Sequence, residues 1–233
     1  MASGPDMLEA VLVPVHPAGY PFVAAFLGGS VVAGLIWDPL FWVGLLATAW
    51  CVYFFRDPAR YTPQASDLVV SPADGVVQSI TRRAPPPELE LGDTEYCCIA
   101  VFMNVFDVHV NRSPVGGSVQ RIAYHPGRFL NASLDKASDE NERQSFLIQN
   151  TRGEKFVLVQ IAGLVARRIL SFVEAEDEVH AGERVGMIRF GSRCDVYLPE
   201  GYVPDVAPGQ RALAGETVLA RAGDREPPAV LRS

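Results

Sequence analysis

The apolar and polar positions divide the chain into two textures that meet near Phe55. From Tyr20 to Phe55 the only charged side chain is Asp38, followed at once by Pro39. One helix over that stretch would run about 54 Å at 1.5 Å per residue, well beyond a hydrocarbon core of about 30 Å. The pattern therefore predicts two helices, PFVAAFLGGSVVAGLIW and LFWVGLLATAWCVYFF, forming a membrane-associating hairpin within residues 1–62. Tyr20, Trp37, Trp42, Trp50 and Tyr53 stand where interfacial aromatics are useful. Gly29, Ser30, Ala33 and Gly34 permit close helix contact. A buried helical pair in a soluble core is the competing reading. Arg56 and Arg60 place the following domain on the cytoplasmic face of the cell membrane.

After Pro63 the texture changes to short apolar runs separated by Gly, Pro, Asp and Asn. LVVSPADGVVQSI, YCCIAVFMNVFDVHV, GSVQRIAYH, RQSFLIQN, KFVLVQIAG and RVGMIRFGS read as strands, and Pro85-Pro86-Pro87 as a loop. The expected fold is mainly β (α+β), a β-rich domain over residues 63–233 behind the helical hairpin. SPADGVV, EVHAGERVG and VAPGQRALAGETVLARAG resemble the hairpins of lipoyl and biotinyl carrier domains, a likeness of architecture rather than of chemistry. Nothing else in the pattern marks a repeat protein.

Composition narrows the function. With 233 residues and 48% hydrophobic content the chain can bury a sizeable core, and a net charge of −7 argues against a nucleic-acid partner. Cys51, Cys97, Cys98 and Cys194 have no metal spacing, and two are adjacent, which suits a reducing compartment and no metal. The first sixteen residues carry Asp6 and Glu9 without a basic stretch, so no secretory signal is expected.

Three residues could carry chemistry together. Asp74 lies in SPADG, where Asp-Gly between apolar runs is usually a turn. His109 lies in MNVFDVHVNRSPVGG; on a strand it would share a polar face with Asp107, opposite Phe106, Val108 and Val110. Ser192 follows Gly191 in GMIRFGSRCDVYLP, a pair that could be a simple bend. A hydroxyl, an imidazole and a carboxylate form a set in which histidine removes the serine proton and the acid fixes its tautomer. No G-x-S-x-G elbow is present, which argues against an α/β hydrolase.

SPADGVV, FMNVFDVHVNRSPVGG, YHPGRFLNASLDKASDENERQSF, IAGLVARRI and FGSRCDVYLP, in this order behind a hydrophobic hairpin, resemble the short bacterial form of the phosphatidylserine decarboxylase proenzymes. The resemblance covers the chain from the hairpin to about Pro199. It implies that Ser192 attacks the carbonyl of Gly191, cutting the chain there and becoming a covalent pyruvoyl group on the last 42 residues, 192–233. That group would convert phosphatidylserine to phosphatidylethanolamine and CO2 through a Schiff base, in place of a pyridoxal cofactor. The self-processing triad it implies is Asp74, His109 and Ser192, with the two resulting chains remaining associated, a homodimer being compatible. Long bacterial forms resemble D-Y-H-R-V-H, whereas NVFDVH here retains only the second histidine, Phe106 standing at the other position. F-G-S-R likewise replaces L-G-S-T.

Arg112, Arg128, Arg167 and Arg168 are candidate anchors for the lipid phosphate or the substrate carboxylate. His125 is either a turn residue before Pro126 or a lining residue of the substrate pocket. Asn141-Glu142-Arg143 matches an element shared in the family, without a role readable from sequence. Two rival readings remain. A pyruvoyl decarboxylase of another serine phospholipid, such as archaetidylserine, would carry the same residues. A noncatalytic lipoyl or biotinyl carrier would use Lys136 in LDKAS, which lies in a polar stretch rather than at a symmetrical hairpin tip.

Overall fold

The computed structural model describes residues 13–127, 140–163, 168–189 and 192–223. The chain separates into two compact units that meet at Ala59 and Arg60.

Among its described residues the first unit contains two α-helices, α1 (Tyr20–Ile36) and α2 (Asp38–Phe54). The break falls at Trp37, whose backbone is extended, because Pro39 cannot continue a helix begun upstream and instead suits the first turn of the next. Small residues set the helix contact: a Cβ on Gly44 would overlap Ser30. The hydroxyls of Ser30 and Thr48 bond back to Leu27 O and Gly44 O, so neither leaves an unsatisfied polar group. Leu35, Ile36, Trp42, Val43 and Leu46 are all exposed. The stretch Pro17–Ile36 is long and apolar enough to cross a membrane.

Among the described residues the second unit holds fourteen strands. Seven come first in sequence: β1 (Leu68–Val70), β2 (Gly75–Arg83), β3 (Tyr96–Met103), β4 (Val110–Arg112), β5 (Gly117–His125), β6 (Arg143–Gln149) and β7 (Lys155–Ala162). Seven follow: β8 (Ile169–Ser171), β9 (Glu178–Val179), β10 (Arg184–Ile188), β11 (Ser192–Leu198), β12 (Tyr202–Pro204), β13 (Arg211–Ala212) and β14 (Val218–Ala222). An eight-stranded antiparallel sheet runs β13-β2-β3-β11-β7-β6-β5-β9. Two three-stranded sheets, β1-β14-β12 and β4-β10-β8, accompany it. The mainly β class expected from the sequence is what the chain adopts.

The topology is symmetric about the β11–β7 pair: β13, β2, β3 and β11 match β9, β5, β6 and β7, and the sheet β1-β14-β12 matches β4-β10-β8, so the unit has the form of two half-units, with β4 to β10 inserted between β3 and β11. β2 and β5 are both nine residues long and begin with glycine. Each carries a register shift at a glutamine, Gln78 or Gln120. Ser71 and Ser113, opening the two S-P motifs, each bond forward to the carbonyl two residues on. The central pair, β11 and β7, straddles the pseudo-two-fold. Ser192 on one side therefore corresponds to Glu154 on the other, which also follows a glycine.

The two initial glycines are required by close approach: a Cβ on Gly75 would overlap Phe102 O, and one on Gly117 would overlap Gln149 O. Gly117→Ala forces backbone apart in a packed core and is expected to cost about 2–3 kcal/mol, read as a lowered thermal midpoint.

The core lies on one face of the eight-stranded sheet, with Met103, Val101, Phe146, Leu158, Cys194 and Val196 among its buried residues. The other face carries a smaller cluster around Leu89, Val159 and Tyr197. There Glu88 takes a two-point bond from Arg143 and a third from Ser145. Burial raises the Glu88 carboxyl, but Arg143 and Ser145 outweigh it and bring it below the usual carboxylate range. All four cysteines are free thiols. Burial pushes Cys98 up to about 12, with Asp195 adding to the effect, so it is an inert core thiol.

Candidate active site

Ser192 is the first residue of β11 and is 0% exposed. It pairs with Met103 on β3 and with Ala162 on β7. Alternation along β11 turns Ser192 toward the same face as Cys194 and Val196, into the main core.

At this end the core is polar. The Ser192 hydroxyl lies 3.8 Å from Met103 Sδ, a weak acceptor. Asn111 Nδ2 stands 3.5 Å from that sulfur and 3.5 Å from Pro72 O. Gln160 Nε2 donates to Asn111 Oδ1 at 2.8 Å. Asn111 and Gln160 are both fully buried. Gly186 on β10 makes room for the Gln160 amide, since a Cβ there would sit 2.8 Å from its nitrogen. Among the described residues, Gln160 Oε1 and Gln144 Nε2 on this face are buried without a hydrogen-bond partner. Unpaired buried polar atoms are costly, so each calls for an explanation.

His109 is 0% exposed and sits between a turn and β4, not on a strand. The predicted strand face of Asp107 and His109 is corrected: residues 104–107 form a turn. Asn104 Oδ1 accepts from Phe106 N, and Asp107 Oδ2 accepts from Asn104 N. Short polar side chains that bond the local backbone favour a turn over a ladder. The burial is reversed as well, with Asp107 buried against Arg211 and Phe106 60% exposed. His109 Nδ1 lies 3.0 Å from Asp107 O, and His109 O accepts from Ile188 N. That backbone bond ties the histidine to β10, four residues before Ser192.

Asp74 is buried next to Gly75, whose backbone packs on the Phe102–Met103 peptide. Its Oδ1 accepts from Ala214 N at 2.8 Å, and its Oδ2 from Arg60 at 2.7 Å. Strand pairing thus gathers Asp74, Met103 and Ser192 at one end of the sheet, while Pro72 O links the Asp74 turn to β4 beyond His109 through Arg112 N.

The secondary candidates fare unevenly. Arg112 is buried and donates to Gly182 O, a structural bond within the fold. His125 ends β5 opposite Arg143 and faces the smaller cluster, away from the Ser192 side. Arg168 is exposed, and its carbonyl accepts from Arg189 N. Burial and the neighbouring Arg168 charge both lower the Arg189 pKa. Arg128, Arg167 and Gly191 lie outside the described residues, as does Lys136.

Sequence reading missed several contributors. Arg60 holds Asp74, and Asn111, Gln160 and Gln144 ring the polar end of the core. Asn141 gains a role: its Nδ2 donates to Ala162 O at 2.7 Å, while Ala162 N donates to Glu142 O. Those two bonds clasp the residue that pairs with Ser192. The glutamines were hidden because a lone amide inside an apolar run reads as an ordinary strand position. Among the described residues no cluster of three or more His, Cys, Asp or Glu could hold a metal.

Ser192 is thus buried at the amide-lined end of an otherwise apolar β core, with His109 tied to β10 through its backbone and Asp74 anchored by Arg60 and Ala214. The family model for phosphatidylserine decarboxylase matches residues 47–220, which include Asp74, His109 and Ser192. The chain belongs to the phosphatidylserine decarboxylase family, and it is a decarboxylase, a carboxy-lyase.

Proposed function

We propose that the protein decarboxylates phosphatidylserine to phosphatidylethanolamine, using a pyruvoyl group that it makes from its own Ser192. The observation that carries this reading is the complete burial of a serine hydroxyl at the polar end of the core, within the family match. No hydrolase-type role explains a nucleophile enclosed by its own strands.

Maturation is an intramolecular sequence. His109 takes the hydroxyl proton, and Ser192 Oγ bonds to the carbonyl carbon of Gly191 as that carbon's bond to the Ser192 nitrogen breaks and the nitrogen gains a proton. Loss of the Ser192 α-proton then expels the Gly191 carboxylate from Cβ, leaving dehydroalanine at position 192. One water enters and one ammonia leaves as the ketone forms. Asp74, fixed by Arg60 and Ala214, holds the histidine ring in the required orientation.

The residues around position 192 fit such a group, because the core there offers buried amides with unused hydrogen-bonding atoms rather than apolar packing. The pyruvoyl carbonyl supplies the electron sink for the departure of carbon dioxide from the serine headgroup. Asn111 and Gln160 line the position and exclude bulk water, and His109 holds a proton in the same region. The apolar helices associate with a bilayer, which suits a lipid substrate, and the catalytic unit works on its cytoplasmic face.

Incubating the purified protein with phosphatidylserine in detergent micelles should release CO2 and phosphatidylethanolamine in equal amounts. A cleaved enzyme that turns over only archaetidylserine in a parallel assay would change the substrate assignment.

A further inference from the structure

Gln144 has a property that the maturation chemistry does not use. It lies on β6, its side chain on the core face, and pairs directly with Gln160 on β7. It is 6% exposed, and its Nε2 has no hydrogen-bond partner. Its neighbour on the other side is Tyr124 of β5, which is exposed and bonded to Glu142. A buried amide N–H without an acceptor costs about 1–3 kcal/mol, so its retention calls for a ligand.

The position relative to Ser192 limits what that ligand can be. β11, β7 and β6 are consecutive in the sheet and Gln144 stands level with Cys194, two residues along from Ser192, so it is displaced about 12 Å from position 192, two spacings of about 4.8 Å across and about 7 Å along the strand. A glutamine side chain and an amino-acid headgroup attached at position 192 bridge that span together. The group within reach is the carboxylate, the only acceptor on the serine carbon that carries the amine.

We propose that Gln144 determines specificity by donating its amide N–H to the substrate carboxylate, a reading that rests on the function proposed above. The choice of an amide has a chemical reason. The carboxylate must leave as neutral CO2, so a guanidinium or ammonium holding it would stabilise the ground state and not the transition state. A neutral donor in a dry site orients the group without neutralising its charge, and desolvation then favours its loss.

Two non-reactive lipid probes test this: short-chain phosphatidyl-3-hydroxypropanoate, which has the carboxylate but no amine, and short-chain phosphatidylethanol, which has neither. Calorimetric binding to the mature wild-type enzyme and to Gln144→Leu should show about tenfold to hundredfold weaker binding of the first probe to the variant. Binding of the second should be unchanged, which a general loss of structure would not produce. Gln144→Lys should bind the carboxylate probe more tightly than wild type while its kcat for phosphatidylserine falls. Equal loss for both probes, or no change for the carboxylate probe, overturns the proposal. Should Gln144→Leu fail to fold, the isosteric Gln144→Met takes its place under the same criteria. A wild-type enzyme that binds both probes but never decarboxylates phosphatidylserine overturns the functional reading instead.

Discussion

Ser192→Ala is expected to give one uncleaved chain with no detectable decarboxylase activity. Alanine has no nucleophile for the Gly191 carbonyl and no route to a ketone, so both the cut and the electron sink are lost together. The fold should survive, because β11 is held through its backbone pairs with β3 and β7. The removed hydroxyl loses only a 3.8 Å contact with a thioether among its described side-chain bonds. A melting temperature close to wild type, alongside a single band on a denaturing gel, separates this outcome from misfolding. A cleaved Ser192→Ala chain would assign the cut to another agent.

His109→Ala and Asp74→Ala are expected to slow maturation, the histidine variant by about 10²- to 10⁴-fold, the usual contribution of a positioned base. Asp74→Ala has a second consequence that His109→Ala does not. It strips the partners from Arg60 and from Ala214 N in a buried setting, at a cost of about 1–3 kcal/mol. Asp74→Asn isolates the charge, since its side-chain oxygen can still accept from Ala214 N while the ion pair is gone. The rate at which the shorter chain appears, followed by mass spectrometry after expression at low temperature, reads all three. Normal processing kinetics in both alanine variants would reject the triad.

The helices were legible because a single charge in a long apolar stretch, followed by proline, leaves few alternatives. The strands were legible from apolar runs between glycines, and the Gly-Ser pair stood out because its flanks are strand-like. The turn at residues 104–107 was not, since VFDVHV alternates as a strand would; the deciding interactions are local bonds from Asn104 and Asp107. The pseudo-two-fold was hidden because one half-unit interrupts the other and most side chains have diverged. SPADGVVQSI and SPVGGSVQRI keep the serine, proline, glycine, valine, glutamine and isoleucine at matching places. The polar end of the core could not be read at all. Gln144 and Gln160 meet across β6 and β7 and Asn111 comes from β4, and only strand register puts them on the core face that Ser192 shares.

Divergence between the two half-units also marks where chemistry was placed. Glu154, the counterpart of Ser192, is locked by Asn150, Arg152 and Tyr202. Burial raises its carboxyl, but those bonds outweigh it and lower it below the ordinary range, as expected of a structural carboxylate. Met103 offers Ser192 only a weak acceptor, whereas Asn150 holds Glu154 at 2.7 Å. One copy of the junction is tied down, and the other keeps a hydroxyl free of strong acceptors among the described residues.

The intact mass of the purified wild-type protein tests the central claim most directly. Two chains are predicted, one ending at Gly191 and one beginning at position 192, their summed mass differing from the uncut chain by one water gained and one ammonia lost, and so falling short of simple hydrolysis by one ammonia. A single uncut chain that still decarboxylates phosphatidylserine, or a shorter chain that begins with an unmodified serine, would contradict it.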